Sequence, residues 1–197
     1  DLYLSDSQPV AGNDSPKSPN RILFVGALSS YHNDFLYKQA NSPRSYDIVL
    51  YGSGLETEKL EGKVDYKGFV SSDELIATAE GEYGLAWYGS SLEGGSGALG
   101  EYLQYNAPHK MSLYIRCGLP IIVWEKAGLA PFVKKNNVGI CISSLTELED
   151  ILPKISAGQY MEMKKNVLQI ADKLSHGYYC FKAIKQACAD LGVEIKG

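Results

Sequence analysis

Residues 106–124 read NAPHKMSLYIRCGLPIIVW, and this stretch carries the clearest signal for the fold of the chain. Asn106 is a good N-cap and Pro108 suits a first helical turn, which predicts a helix of about three turns. Gly118 supplies a stop for that helix. The apolar run from Ile121 to Trp124 is typical of a buried parallel strand. The stretch therefore predicts one helix–strand unit of an α/β fold.

The charge at the start of this predicted helix is unusual. His109 and Lys110 occupy the first turn, where the helix dipole disfavours cations. Free backbone N–H groups together with a lysine form an anion site, so a phosphate as the usual occupant would explain the arrangement. A solvated lysine on an ordinary helix explains it about as well, and the residues alone leave both interpretations open.

Apolar runs alternate with helical patterns from Arg21 onward. This alternation predicts an α/β fold with a doubly wound, Rossmann-like parallel sheet of about six strands and helices on both faces. The predicted strands are residues 22–26, 47–52, 64–70, 83–88, 120–124 and 139–142. Ligands of such sheets bind outside the carboxyl ends of the strands. The residues that follow each strand are therefore the candidates for a binding site.

The chain divides into three predicted parts. Residues 1–20 are rich in Ser, Pro, Asp and Asn and indicate a linker or entry segment, and residues 21–175 form the α/β domain. Residues 176–197 are expected to form a C-terminal helix that packs on a domain outside this sequence. Its apolar side, with Tyr178, Phe181 and Ile184, would otherwise be exposed and favour a homo-oligomer. Because Asp1 is not a methionine, we expect the sequence to be a fragment.

Composition excludes several classes of function. A net charge of −4 offers no basic field for nucleic acid, and no apolar run approaches the roughly 18 residues of a membrane span. The four cysteines lack CxxC spacing and the three histidines are scattered, so no metal site is expected. The loop that follows the first predicted strand begins at Gly26 and lacks the GxGxxG spacing of a dinucleotide site. A nicotinamide-dependent enzyme and an NTPase are both disfavoured.

A glycine- and serine-rich loop, GSSLEGGSGALG, spans residues 89–100. Long loops inside a domain are usually functional or mobile. This loop follows a predicted strand at the ligand edge, so we expect a flexible flap over the binding site. A disordered surface loop is the alternative.

Three segments resemble a known family of bacterial sugar transferases. They are YGLAW at 83–87, GEYLQYNAPHKMSLY at 100–114 and CGLPIIVW at 117–124. They are similar to β-1,6-galactofuranosyltransferases and to the glucosyltransferases that extend O-glycans on serine-rich repeat adhesins. The resemblance covers about residues 21–175 and is most specific over residues 83–124. It implies the GT-B fold, two Rossmann-like domains facing across a cleft, with this chain as the C-terminal half that binds the nucleotide sugar.

The resemblance also implies a reaction. The donor would be a UDP-sugar, and a hexose, galactofuranose or glucose, would pass to a glycan or glycoprotein acceptor in the cytoplasm or at the inner face of the membrane. The helix dipole and Lys110 would stabilise the UDP leaving group, so no cofactor is expected beyond the donor substrate itself. The acceptor base would lie on the other half of the fold. No catalytic residue is therefore assigned, and this chain alone is expected to be inactive.

The candidate donor site combines the strand ends with the motif positions. Asn106 and Lys110 match positions near the donor diphosphate, while Phe69 and Val70 match the strand end that reads the base. Leu113 stands where many GT-B enzymes carry a ribose-binding glutamate, so the ribose must be bound from elsewhere. The full predicted set is Gly26, Leu28, Ser29, Gly52, Phe69, Val70, Tyr88, Glu101, Tyr102, Asn106, Lys110 and Tyr114.

Two alternatives remain open. A UDP-sugar 2-epimerase of the GT-B type would need acid and base carboxylates near the cleft, and only Glu93, Glu101 and Glu125 are candidates. A non-catalytic module would bind a nucleotide or a glycan without turning it over. Epimerised product in the absence of an acceptor would favour the first, and nucleotide binding without any reaction would favour the second.

Overall fold

Six parallel strands form one sheet in the computed structural model, which describes residues 3–9, 20–95 and 97–193, apart from the side chains of residues 98 and 99. The strands are β1 (Arg21–Ala27), β2 (Asp47–Ser53), β3 (Asp65–Gly68), β4 (Tyr83–Ala86), β5 (Ile121–Trp124) and β6 (Gly139–Ile142). They are almost wholly apolar where the sheet is deepest, as expected for strands covered on both faces. The predicted doubly wound α/β fold is confirmed.

The order of the strands is β3-β2-β1-β4-β5-β6. The chain therefore builds outward from β1 to β3, crosses back, and builds outward again from β4 to β6. The point of reversal lies between β1 and β4, and in open α/β sheets the carboxyl ends of the strands at such a switch point frame the ligand crevice. The topology thus predicts that a ligand would bind near the residues just beyond β1 and β4.

Eight helices surround the sheet in the described part of the chain. They are α1 (Ser30–Asn41), α2 (Ser72–Thr78), α3 (Gly97–Tyr102), α4 (His109–Arg116), α5 (Ala130–Asn136), α6 (Leu148–Ile151), α7 (Ala157–Ser175) and α8 (Tyr178–Asp190). Short 3₁₀ turns flank α6. Helix α4 packs against α7 and against β4, so it lies at the centre of the fold beside the switch point.

The start of α4 differs from the prediction. Pro108 occupies the N-cap position, with ψ of 131°, and the helix begins at His109. Pro108, in an extended conformation, is the N-cap that was expected to be Asn106. Asn106 instead belongs to the preceding turn, where its backbone N–H donates to the Tyr102 carbonyl at 3.0 Å. The prediction that Asn106 caps the helix was wrong.

Residues 3–9, which belong to the predicted entry segment, are held by one buried arginine. Arg116, the last residue of α4, is only 1% exposed. Its guanidinium donates hydrogen bonds to the carbonyl oxygens of Tyr3 (3.2 Å), Ser5 (2.9 Å) and Ser7 (2.7 Å). Those carbonyls satisfy donors that would otherwise be buried without partners, and they bind the segment to the end of α4.

The glycine-rich loop lies against the sheet over residues 89–95, and Ser96 falls outside the described residues. A Cβ atom on Gly94 would stand 2.9 Å from the indole nitrogen of Trp124, and the Leu92 carbonyl accepts the Leu145 N–H at 2.8 Å. The indole N–H of Trp87 donates to the Ser91 carbonyl at 3.0 Å. This part of the loop therefore packs on its neighbours, and the flexible flap over the binding site stays a prediction.

The C-terminal helix α8 touches the domain mainly through Tyr179, whose ring lies 6.4 Å from that of Phe132. The side chains of Phe181 and Ile184 on this helix, and of Leu191 just beyond it, are at least half exposed. Among the described residues no helix combines the length and the apolar character needed to cross a bilayer.

Candidate functional site

Two glycines shape the carboxyl edge of the sheet. Gly26 of β1 and Gly52 of β2 are register partners with φ of 135° and 139°. A Cβ on Gly52 would lie 1.9 Å from the Gly26 carbonyl oxygen, so only glycine lets the two strands end side by side. Gly52 is buried, whereas Gly26 and Ala27 are exposed. The backbone of β1 is thus bare where a ligand would approach.

Lys110 points into this edge. Its Nζ lies 4.0 Å from the ring centroid of Phe24 and 4.0 Å from that of Tyr88, close to the bare backbone at Gly26. The side chain is only 9% exposed, and it has no hydrogen-bond or ion-pair partner among the described residues. Burial of the ammonium lowers the pKa of Lys110 to about 7. Two aromatic faces offer a cation some attraction but no counter-charge.

The start of α4 adds a second source of positive potential. Lys110 is the second residue of this eight-residue helix, no side chain caps its start, and its first turn holds no acidic residue. The first N–H groups of a helix have no intrahelical partner and carry the positive end of the dipole. The buried lysine and the start of α4 therefore lie together at the switch point, and such an arrangement suits a phosphate group.

The start of α1 lies at the same edge but is already occupied. The Glu56 carboxylate accepts hydrogen bonds from the Ser30 N–H (2.9 Å) and hydroxyl (3.0 Å) and pairs with Lys59. Lys59 and the Ser30 N–H lower the pKa of Glu56 below its usual range. Ser29 stands at the N-cap but its side chain makes no capping bond. An external anion would meet a fixed negative charge here.

Two predicted residues do not face the edge. Leu28 is fully buried, its N–H donates to the Ser53 carbonyl at 2.8 Å, and its carbonyl accepts the Tyr37 hydroxyl at 2.6 Å. Tyr114 is also fully buried, and its hydroxyl is bound to backbone atoms of β1 and β4. Neither side chain can touch a ligand from its position, which corrects their assignment as contact residues.

The remaining predicted residues surround the edge at different depths. Phe69 (78% exposed) and half-buried Val70 follow β3, whereas Glu101 and Tyr102 (56% exposed) lie on α3. Tyr88 covers Lys110, and Asn106 is half-buried two residues before the α4 N-cap. The structure therefore brings Gly26, Tyr88 and Lys110 together and leaves the others on the rim.

Two residues of this edge were absent from the sequence-based set. Phe24 lies beneath Lys110, and the alternation of β1, which puts Phe24 and Gly26 on one face, could have indicated it. Glu56 gave no signal in sequence, because it follows β2 by three residues and meets α1 only in the fold.

The three carboxylates that an isomerase could use as acid and base do not form a buried pair. Glu93, Glu101 and Glu125 are each exposed. Within the described residues no cluster of three or more His, Cys, Asp or Glu side chains is placed to hold a metal ion.

Comparison with known proteins agrees with this architecture. The β-1,6-galactofuranosyltransferase WbbI of Escherichia coli K12 is 31% identical over 192 residues, which are 96% of this chain and 55% of WbbI. Glucosyltransferase 3 of Streptococcus gordonii is 28% identical over 177 residues, 89% of this chain and 50% of that protein. The chain thus spans about half the length of these relatives.

Solved structures share the fold at low identity. HepE from Anabaena, crystallised with UDP, superposes with a TM-score of 0.59 at 14% identity, over 86% of this chain and 48% of HepE. A point mutant of TarM from S. aureus, crystallised with UDP among other ligands, gives a TM-score of 0.58 at 12% identity, over 93% of this chain and 37% of TarM. The family model for the glucosyltransferase 3-like C-terminal domain matches residues 22–187, and the chain belongs to that family.

Proposed function

We propose that this chain binds the UDP-sugar donor of a glycosyltransferase at the carboxyl edge of its sheet. The observation that carries the proposal is the buried ammonium of Lys110, held between two aromatic rings at an uncapped helix start. The diphosphate would bind Lys110 and the first-turn N–H groups of α4. Complexes of HepE with UDP and with UDP-glucose support this choice of ligand.

The exposed backbone at Gly26 and Ala27 would let the donor lie flat across β1. The uracil base would then lie near Phe69 and Val70, which follow β3, two strands away from β1 and roughly 10 Å along the edge. Tyr102 and Glu101 on α3 would flank the sugar. Asn106 would contact the donor from the turn before α4 rather than as the N-cap of that helix.

In the proposed reaction the bond between the anomeric carbon and the β-phosphate oxygen breaks, and the carbon bonds to an acceptor hydroxyl. Negative charge then grows on UDP, where Lys110 and the α4 dipole stabilise it, so a metal ion is not required for that purpose. The proton of the acceptor hydroxyl passes to a base on the part of the enzyme that binds the glycan or glycoprotein acceptor. The relatives support a hexose, galactofuranose or glucose, as the transferred sugar.

The isomerase alternative loses support from the exposure of Glu93, Glu101 and Glu125. Acid–base chemistry on a bound sugar is favoured by carboxyl groups whose pKa is tuned by burial or by a neighbouring charge. A non-catalytic binding module would use the same site, and only an assay of the protein joined to its acceptor-binding part separates it from a transferase.

Titration calorimetry with UDP and GDP tests the proposal. We expect UDP to bind more tightly than GDP and the Lys110→Met variant to bind UDP about 10- to 100-fold more weakly, the scale of a lost hydrogen bond to a charged group. Lys135→Met is the matched control, because Lys135 is an exposed lysine in the last turn of α5, away from the carboxyl edge, and this variant should bind UDP within twofold of the wild type. Equal binding of UDP by both variants would disprove the site.

A further inference from the structure

Strands β1 and β4 separate just where the donor site begins. β1 pairs with β2 along seven register positions, but with β4 only at Ile22–Tyr83 and Leu23–Gly84. Beyond these pairs the two strands continue toward the carboxyl edge without pairing directly. The site that contains Lys110 therefore lies where β1 and β4 diverge beyond the Leu23–Gly84 pair, and we call this opening the fork.

A tyrosine hydroxyl stands inside this fork. Tyr114 accepts a hydrogen bond from the Val25 N–H at 3.0 Å and donates one to the Leu85 carbonyl at 2.9 Å. Two hydrogen bonds in series thus connect a donor of β1 and an acceptor of β4, just beyond the last direct pair. Because Tyr114 is fully buried, the hydroxyl satisfies backbone groups that would otherwise lack a partner.

The sheet has a glycine where the tyrosine ring needs room. A Cβ on Gly84 would lie 2.2 Å from Cγ of Tyr114, far inside van der Waals contact. Gly84 belongs to the last pair before the fork opens. The absence of a side chain at Gly84 in β4 therefore leaves the space in which the Tyr114 ring of α4 lies between the two strands.

The rings that enclose Lys110 come from β1 and from the chain just beyond β4. Phe24 directly precedes Val25 in β1, and Tyr88 follows the last residue of β4 by two positions. Lys110 and Tyr114 are four residues apart on α4, so they share one face of that helix. A change in the separation of the strands would change the distance between the two rings and the space left for the ammonium.

We propose that Tyr114 is a positioning residue, whose hydroxyl sets the opening between β1 and β4 and thereby places the Lys110 ammonium for the donor diphosphate. This inference rests on the proposed function for its last step only. Without the hydroxyl the strands either pair directly or admit water between them. Both outcomes alter the enclosure of Lys110, the first by displacing the side chain and the second by hydrating it.

Tyr114→Phe tests the inference with two measurements. NMR titration of ¹³C-labelled lysine should show the midpoint of Lys110 moving upward from about pH 7 toward the value of an exposed lysine, because the ammonium regains water. UDP affinity should fall about 3- to 30-fold at pH 6, where the Lys110 ammonium is charged in both proteins. The titration needs no ligand, so it tests the positioning even if UDP fails to bind the wild type.

Tyr160→Phe is the matched control. Tyr160 is also fully buried, and its hydroxyl donates to the Glu82 carbonyl at 3.2 Å, just before β4 begins. Loss of that bond should lower stability while leaving the Lys110 midpoint and UDP affinity unchanged. The inference is overturned if Tyr114→Phe behaves like Tyr160→Phe in both measurements.

A second measurement covers the case in which Tyr114→Phe does not fold. In the wild type, bound UDP and the two hydrogen bonds of the Tyr114 hydroxyl should stabilise each other, because coupling between two sites is reciprocal. We expect UDP to slow hydrogen exchange of the Val25 amide more than that of Leu23, which pairs directly with β4. Equal slowing of both amides would contradict the role given to Tyr114.

Discussion

The starts of α1 and α4 lie at the same edge of the sheet but differ in charge. At α1 the protein supplies its own anion, the Glu56 carboxylate, to the Ser30 N–H. At α4 the first turn has no acid and contains a buried lysine without a partner among the described residues. A helix start neutralised from within serves stability, whereas one left positive is available to a ligand. The strand topology puts both helix starts at the ligand edge, and the presence or absence of an internal counter-charge is what distinguishes them.

The largest expected effect concerns pH and the α4 site. Burial lowers the pKa of Lys110 to about 7, so above that pH most of the free protein would need to take up a proton before Lys110 could bind an anion. We therefore expect affinity for UDP-glucose to fall by up to tenfold per pH unit above pH 7, until the raised pKa of the complex is reached. Calorimetry in buffers of different ionisation enthalpy should detect close to one proton taken up at pH 8.5.

Lys110→Met supplies the control for that profile, since it should bind weakly at every pH with no proton uptake. UDP-glucose is preferred to UDP because its diphosphate has no terminal phosphate that titrates near neutrality. A wild-type affinity that stays constant between pH 7 and 9 would mean that the ammonium does not contact the donor.

The second effect is on stability. A buried, unpaired cation costs free energy, so Lys110→Met should raise the free energy of unfolding at pH 6 by about 1 to 4 kcal/mol. The folded-state pKa of Lys110, about 7, lies below its unfolded value of about 10.4. Between these values the unfolded chain binds more protons, so wild-type stability rises with pH and the advantage of the variant shrinks.

Urea denaturation at pH 6 and pH 9 measures this difference. Lys126→Met, at an exposed position, should change stability little at either pH. An advantage of Lys110→Met that grows with pH would show that the ammonium is not destabilised by burial.

The smallest effect is expected at α1. Glu56→Gln removes the internal anion and the partner of Lys59, and should lower the melting temperature at pH 7. The folded-state pKa of Glu56 is depressed, so its contribution is present above the unfolded pKa of about 4.3 and is lost as pH falls further. The two proteins should therefore melt alike in acid.

UDP affinity of Glu56→Gln should stay within twofold of the wild type, because the ligand is assigned to α4. Glu58→Gln, an exposed neighbour, is the control for a general change in charge. A Glu56→Gln variant that binds UDP much more tightly would move the diphosphate to α1 and break the distinction between the two helix starts.

Sequence patterns predicted the sheet well because its strands follow local rules. Apolar runs that end in glycine, as at Gly26 and Gly52, indicate buried parallel strands in any α/β context. The local charge anomaly at Lys110 was visible too. Its burial was not, since the aromatic neighbours come from β1 and from the end of β4, which are distant in sequence.

The failures have equally specific causes. Asn106 was assigned by capping preference, but Pro108 already had the extended conformation that an N-cap needs. Tyr114 was included in the set as a residue one turn beyond Lys110, yet its hydroxyl is bound between two strands. Glycine indicates flexibility in sequence, but Gly94 also has a packing role that the sequence did not show, because a Cβ there would lie 2.9 Å from the indole nitrogen of Trp124.

Arg116 gives α4 a mechanical significance. One end of this short helix, about 12 Å long, is hydrogen-bonded to residues 3–9 through Arg116, and the other end carries Lys110 of the proposed donor site. A displacement of residues 3–9 would therefore act on the helix that holds Lys110. The conformation of these residues and the occupancy of the proposed donor site would then be coupled through α4.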